Sequence, residues 1–112
     1  MRDKTYDKEI MHHFFQCSVP FFTRAVPLDE KQFKYEFHEA HSDWIDISLH
    51  AETYPMKPSL IKPLFELFEE ARLYFACIIC SDEPYLRAIR THRDRWMKLQ
   101  KFANAILSEA EF

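Results

Sequence analysis

Glycine is absent from the 112 residues of this chain. Average composition, at about 7%, would give about eight glycines in a chain of this length. Glycine lets the backbone approach a phosphate closely or turn with a positive φ, and phosphate-binding loops, dinucleotide fingerprints and nucleophile elbows depend on it. We therefore expect no nucleotide-binding or acyl-transfer site of these kinds. Few left-handed positions also imply short connections and a high helix content.

Long uncharged apolar runs are absent as well. The longest covers residues 73–80, far short of the roughly 20 residues that a membrane helix needs. The N-terminus is charged and has neither the apolar region nor the cleavage site of a secretion signal. An odd number of cysteines, three, fits a reducing compartment better than a disulfide framework. The sequence predicts a cytoplasmic protein without a membrane segment.

The chain is rich in apolar side chains. They make up 47% of the residues, and eleven are phenylalanine, so most of the chain should be ordered. One domain, covering residues 1–112, can bury a core at this length without a disulfide or a metal. Because one core has difficulty hiding eleven phenylalanines, a homodimer is a further hypothesis.

The central stretch, residues 59–80, has the strongest apolar pattern. Its first half alternates apolar residues at helical spacing with glutamates, which predicts an amphipathic helix with Ser59 as its N-cap. Its second half, residues 73–80, is uncharged, so we expect other parts of the protein to cover every face. Ile78 and Ile79 allow a buried strand there, but no turn residue precedes them, and one long helix is favoured.

Helices are also predicted at both ends of the chain. Residues 4–17 form one helical face, which Pro20 ends, and residues 21–22 pin an extended connection that follows. The last helix begins at Asp82-Glu83-Pro84 with a capping carboxylate. Its inner stripe is Leu86, Ile89, His92 or Arg93, Trp96, Leu99, Ala103 and Ile106.

Residues 29–54 are compatible with two structures. Apolar and polar residues alternate over residues 33–37 and 45–51, which predicts two strands joined by a turn at residues 41–43. Asp29 with Gln32 also forms a capping box before a helical stripe, but a helix would expose Tyr35, Ile45 and Leu49. We therefore predict an α+β fold with three or four helices and an antiparallel hairpin at about residues 33–51. The alternative is an all-α four-helix bundle.

The last helix carries most of the positive charge. Residues 85–101 contain six Lys or Arg against one Asp, a formal net charge of +5 in a chain of −3. A basic helix face can bind a phosphate backbone or an acidic protein, or be a solvated face paired with neighbouring glutamates. The cationic residues are Arg87, Arg90, Arg93, Arg95, Lys98 and Lys101.

Neither cysteine nor histidine spacing predicts a metal or redox site. Cys77 and Cys80 have redox spacing, but they lie in the most apolar stretch and near the wrong end of a helix, which favours buried structural thiols. His38 and His41 could join them around zinc, yet no polar knuckle surrounds either pair. We predict no cofactor, no metal and no catalytic residue.

One short motif resembles an enzyme family. Arg87 and His92, in Arg87-Ala-Ile-Arg-Thr-His92, resemble the Arg-x4-His motif of the HEPN ribonucleases. That resemblance implies an all-helical domain in which paired Arg and His cleave RNA across a dimer. It covers six residues, and Ala88 stands where the family commonly has a polar residue. An RNA-binding protein or HEPN-like ribonuclease is therefore the alternative function.

The function that the sequence favours is a small, non-enzymatic protein-interaction domain of the inhibitor, immunity, antitoxin or phage host-modulator kind. Composition is the basis of that analogy. The partner is another protein, with nucleic acid as the alternative and no membrane. Two contact surfaces are predicted: the hairpin, with Tyr35, Asp43, Trp44 and Asp46, and the last helix, with Arg90, Arg95 and Lys98.

Overall fold

A computed structural model describes residues 4–26, 29–50, 54 and 56–110, with only the backbone for residues 4–7. The helices are α1 (Lys4–His13), a π-helical turn (Phe14–Ser18), α2 (Val19–Phe21), α3 (Glu30–Leu49), α4 (Pro58–Ile79), α5 (Tyr85–Thr91) and α6 (Arg93–Glu109). The first three elements are continuous and form one rod. The described residues therefore form five helical rods in all and no strand. None of the described helices has both the length and the apolar character that crossing a bilayer requires.

The predicted hairpin, and with it the α+β class, is wrong because residues 30–49 form the single helix α3. Asp29 caps this helix, since its Oδ1 accepts a hydrogen bond from the Gln32 N–H at 3.0 Å. The turn predicted at residues 41–43 lies in the middle of the helix, and residues 51–53 lie outside the described part. The buried stripe of α3 is Phe33, Phe37, Ala40, Trp44 and Ile47.

The three residues that favoured strands are exposed on α3. Tyr35 is 67% exposed, Ile45 45% and Leu49 73%. A continuous stripe of five buried residues stabilises the helix more than three singly exposed apolar residues destabilise it. The all-α alternative therefore describes the class correctly, although five rods replace the predicted four-helix bundle.

The preference for one long helix over residues 59–80 is confirmed by α4, which continues to Ile79. It begins one residue before Ser59, after Lys57 in an extended conformation. The expectation that residues 73–80 are covered on every face is wrong, because Leu73 is 45% exposed. Helices α5 and α6 pack on α4, while Leu73 faces solvent.

The N-terminal rod extends beyond its predicted end. It passes Pro20 and ends at Phe21 because the π-helical turn precedes the proline: the Val19 N–H donates to the carbonyl of Phe14, five residues earlier. This wider turn accommodates a ring that would crowd an α-helical backbone. Phe21 and Phe22 are buried, as predicted for the anchors of this segment.

The last predicted helix is divided into α5 and α6. His92 separates them with φ −105° and ψ 23°, outside helical values. The predicted inner stripe holds for Trp96, Leu99, Ala103 and Ile106, which are buried, whereas Leu86 is 54% exposed.

Most of the phenylalanines pack in one core between these helices. Phe22 and Phe68 meet edge to face with centroids 5.5 Å apart, and the Trp44 ring stacks on Phe68 at 5.2 Å. The single core thus buries most of the phenylalanines, and the homodimer stays a prediction. The phenylalanines below one-tenth exposure are Phe14, Phe15, Phe21, Phe22, Phe33, Phe37 and Phe68.

Candidate functional site

Asp43, predicted as a partner contact, instead joins two helical rods. Its Oδ2 accepts a hydrogen bond from the Ser18 hydroxyl at 2.6 Å and lies 2.6 Å from His13 Nδ1. A carboxylate can only accept, so His13 Nδ1 is the donor. The Ser18 hydroxyl points at a carboxylate rather than at an imidazole base, and this arrangement therefore does not activate it as a nucleophile. Asp43 has a clear structural role in tying α3 to the π-helical turn.

The other members of the predicted acidic surface are separated in the structure. Trp44 is 6% exposed and packs edge to face on Phe65 at 4.9 Å, so it belongs to the core. Asp46 accepts a hydrogen bond from the hydroxyl of Tyr54, which is 4% exposed. Tyr35 is exposed on α3. The helix does not bring these four residues to one open face.

A groove beside the π-helical turn is lined by several polar side chains. Its volume is about 260 Å³, and His13, Cys17 and Glu39 lie on its walls. Arg24 closes one end through an ion pair with Glu36 at 3.4 Å. The described residues include no group of three or more His, Cys, Asp or Glu that could hold a metal.

The His38–His41 and Cys77–Cys80 pairs form no metal-binding group among the described residues. His38 and His41 lie within α3 rather than at a turn, and burial is the largest cause of the lowered pKa of His41. Cys80 directly follows the last residue of α4 and is exposed, while Cys77 is half-buried. The predicted position near the wrong helix end is confirmed, but the predicted burial of Cys80 is wrong.

Most basic residues of α5 and α6 are exposed. Five of them have exposed side chains that make no hydrogen bond or ion pair with any other described residue. They are Arg87, Arg90, Arg93, Arg95 and Lys101.

Two exposed apolar residues lie among these cations. Leu86 is 54% exposed and Met97 45%. Within α5, a step of four residues places Leu86 and Arg90 on one face, and within α6 two steps of four place Arg93, Met97 and Lys101 on one face. We call these two exposed faces together the α5–α6 stripe: Leu86, Arg90, Arg93, Met97 and Lys101. The sequence pattern predicts Leu86 in the core, and the structure instead leaves it exposed on α5.

Lys98 belongs to a different surface from the α5–α6 stripe. Its Nζ donates to Glu70 Oε1 at 3.1 Å and lies 5.8 Å from the centre of the Phe102 ring. Pairing with a glutamate of a neighbouring helix is one of the alternatives that the sequence offers for the basic residues, and Lys98 follows it. Among the predicted basic contacts, Arg90 and Arg95 stay unpaired within the described residues, and Lys98 does not.

The Arg87 and His92 side chains show no mutual hydrogen bond. Arg87 is exposed near the start of α5, and His92 is half-buried at the break before α6. Between them, the Thr91 hydroxyl donates to Glu83 Oε2 and to the Arg87 carbonyl, each at 3.0 Å. The two residues of the motif are therefore near each other along the chain without forming a joint site in one copy.

Comparison with known proteins finds no family model, curated protein or solved structure with significant similarity to this chain.

Proposed function

We propose that the protein is a small non-enzymatic interaction domain, and that the α5–α6 stripe binds an acidic face of a protein partner. One observation carries this proposal: exposed, unpaired cations lie beside exposed apolar side chains on the two neighbouring helices α5 and α6. The domain works in the cytoplasm, which suits the three free cysteines of the described residues.

Arginine and methionine at this spacing suit a protein interface. Arginine is enriched at binding hot spots, and apolar anchors become buried while the charges around them select the partner. Leu86 and Met97 supply anchors of this type. Cations without internal partners lose no ion pair when they bind an acidic surface. A partner with carboxylates around aliphatic or aromatic residues is the matching chemistry.

The acidic residues predicted as a partner surface make contacts inside the domain instead. Asp43 and Asp46 accept hydrogen bonds from Ser18 and Tyr54, and Trp44 is buried. Using these residues for a partner would disrupt the core of the same domain.

RNA binding or cleavage is a second candidate, favoured by the all-helical fold that the HEPN resemblance implies. It would use the same cations, with Arg87 and His92 in the enzymatic version. Affinity for RNA should fall steeply with salt, because counterions are released from the phosphates. Cleavage by the purified protein that persists unchanged in His92→Ala would refute the enzymatic version.

The test is capture of partners from native lysate with nuclease treatment, followed by mass spectrometry. The Arg90→Glu/Arg93→Glu double variant reverses two stripe charges. The control, Lys31→Glu/Lys62→Glu, makes the same charge change at exposed, unpaired residues of α3 and α4.

We expect the wild type and the control to retain one stoichiometric protein, and the stripe variant to lose it. Equal capture by all three proteins would refute the role of the stripe. A partner that disappears after nuclease treatment would support the RNA candidate instead.

A further inference from the structure

A second groove lies between α4 and α6, on the flank of α6 that the α5–α6 stripe does not occupy. Its volume is about 380 Å³. Phe65, on its wall, is 49% exposed although large aromatic rings are usually buried. The groove is lined by Phe65, Glu66, Glu69, Glu70, Lys98 and Phe102.

This groove has the chemistry to receive a cation with an apolar stem. Lys98 shows this, because its ammonium group sits against both the Glu70 carboxylate and the Phe102 ring. Glu66 makes no hydrogen bond or ion pair with any other described residue. Glu69 pairs only with Arg72 of its own helix at 3.0 Å, and both side chains are about 60% exposed, so this pair is weak. Two carboxylates are thus available beside an exposed ring.

The α5–α6 stripe has the opposite charge beside a similar apolar group. Met97 lies between Arg93 and Lys101, one helical turn from each. In the groove, Glu66 and Glu69 both follow Phe65 on α4, within one turn of it. An apolar side chain with neighbouring cations is therefore complementary in charge to an apolar ring with neighbouring carboxylates.

One copy of the chain cannot join these two surfaces. Met97 and Lys98 are consecutive residues of α6, so their side chains point about 100° apart around the helix. Lys98 contacts the groove, and Met97 is turned away from it. The partner must be another molecule.

We propose that the stripe of one copy docks into the α4–α6 groove of a second copy, head to tail. Met97 then packs on Phe65, and Arg93 and Lys101 approach Glu66 and Glu69. The inference rests on the proposed function, because it uses the same stripe and names the acidic partner as a second copy of this chain. Such a heterologous contact closes into a ring or extends into a chain, depending on the rotation between copies.

The association should be weak and sensitive to salt. It combines one small apolar contact with exposed charges, and exposed charges are screened over about 8 Å at physiological ionic strength. Small interfaces of this kind belong to transient complexes.

Sedimentation equilibrium of the purified full chain tests the proposal. We expect the average mass to rise above the 13.6 kDa of one chain as protein concentration increases at low salt, and to return to it at about 1 M salt. Arg93→Glu/Lys101→Glu should weaken association at least about tenfold, and Glu66→Lys/Glu69→Lys should do the same.

Mixing these two variants gives the decisive result. The intact stripe of one variant faces the intact groove of the other, and the two charge-reversed surfaces are again opposite in charge, so the mixture should recover the association that each variant alone has lost. Circular dichroism checks that each variant is folded, and Lys31→Glu/Lys62→Glu should self-associate like the wild type.

A wild type that stays monomeric at about 1 mM, the concentration range of the weakest specific complexes, would overturn the proposal. So would a mixture that recovers no association. The lysate experiment separates the two ideas. A monomeric protein whose stripe variant loses a foreign partner keeps the proposed function and loses only self-association. A mixture that recovers association, with no stripe-dependent foreign partner, supports self-association alone.

Discussion

Replacing Asp43 by alanine should destabilise the fold, although the residue looks like a surface carboxylate in the sequence. The substitution removes the acceptor shared by the Ser18 hydroxyl and His13 Nδ1, each 2.6 Å from Oδ2. Ser18 is 3% exposed, so its hydroxyl would lose its partner in a place that water reaches poorly. The tie between the π-helical turn and α3 would be lost at the same time.

The expected loss can be worked from these two contacts. A buried hydroxyl left without a partner costs about 1–3 kcal/mol. The His13 side chain is 48% exposed and that of Asp43 21%, so solvent screening limits this contact to below about 1 kcal/mol. Together they give a decrease of about 1–4 kcal/mol in the free energy of unfolding. For a domain of this size, Tm should fall by about 10 °C.

Thermal and urea unfolding, followed by far-UV circular dichroism, measure this change. Glu39→Ala is the matched control, because Glu39 is exposed on the same helix and makes no hydrogen bond or ion pair with the other described residues. Its Tm should stay within about 2 °C of the wild type. The Ser18→Ala/Asp43→Ala double variant should be less destabilised than the sum of the single variants. If Asp43→Ala and Glu39→Ala had the same Tm, the structural role argued for Asp43 would be refuted.

The remaining predictions concern Trp44, Tyr74 and His41. Trp44→Ala should lower the free energy of unfolding by about 3–5 kcal/mol in urea titrations, because it removes a buried ring from an aromatic stack; a loss below about 1 kcal/mol would contradict that packing. Tyr74→Phe should leave stability unchanged or raise it by up to about 1 kcal/mol, because the buried hydroxyl has no hydrogen-bond partner among the described residues. Burial raises the pKa of Tyr74, so wild-type stability should fall above about pH 10, where the unfolded chain loses that proton, and Tyr74→Phe should reduce this fall. Burial lowers the pKa of His41, so the unfolded chain binds its proton more readily; stability should decrease as pH falls below about 6.5, and an unaltered slope in His41→Gln would exclude this cause.

The predictions that held depend on short-range patterns. The prediction of a helix for the uncharged run at residues 73–80 is correct for residues 73–79, because no turn residue interrupts it, and α4 ends at Ile79. The hairpin prediction for residues 29–54 is wrong because alternation and helical spacing coexist there. The exposure of Tyr35 and Leu49 does not outweigh the buried stripe of the helix. Short-range patterns do not show how much apolar surface the rest of the molecule leaves uncovered.

The candidate surfaces depend on contacts between residues far apart in sequence. The cluster of cations in residues 85–101 is visible in the sequence, but the residue pattern predicts Leu86 in the core, whereas the structure leaves it 54% exposed on α5. In the sequence, Lys98 and Arg95 are equivalent basic residues. In the structure, Lys98 is paired with Glu70, which lies 28 residues away in the chain. Similarly, Asp43 looked like a free carboxylate because its donors lie 25 and 30 residues earlier.

By itself the sequence determined the positions of most helices, the large apolar core and the unequal distribution of charge, because spacing, capping and composition act over a few residues. Only the tertiary structure decided which charges are paired, which apolar residues stay exposed and where the grooves lie. Those properties depend on packing between helices, since a side chain gains or loses its partner according to what a distant segment places beside it.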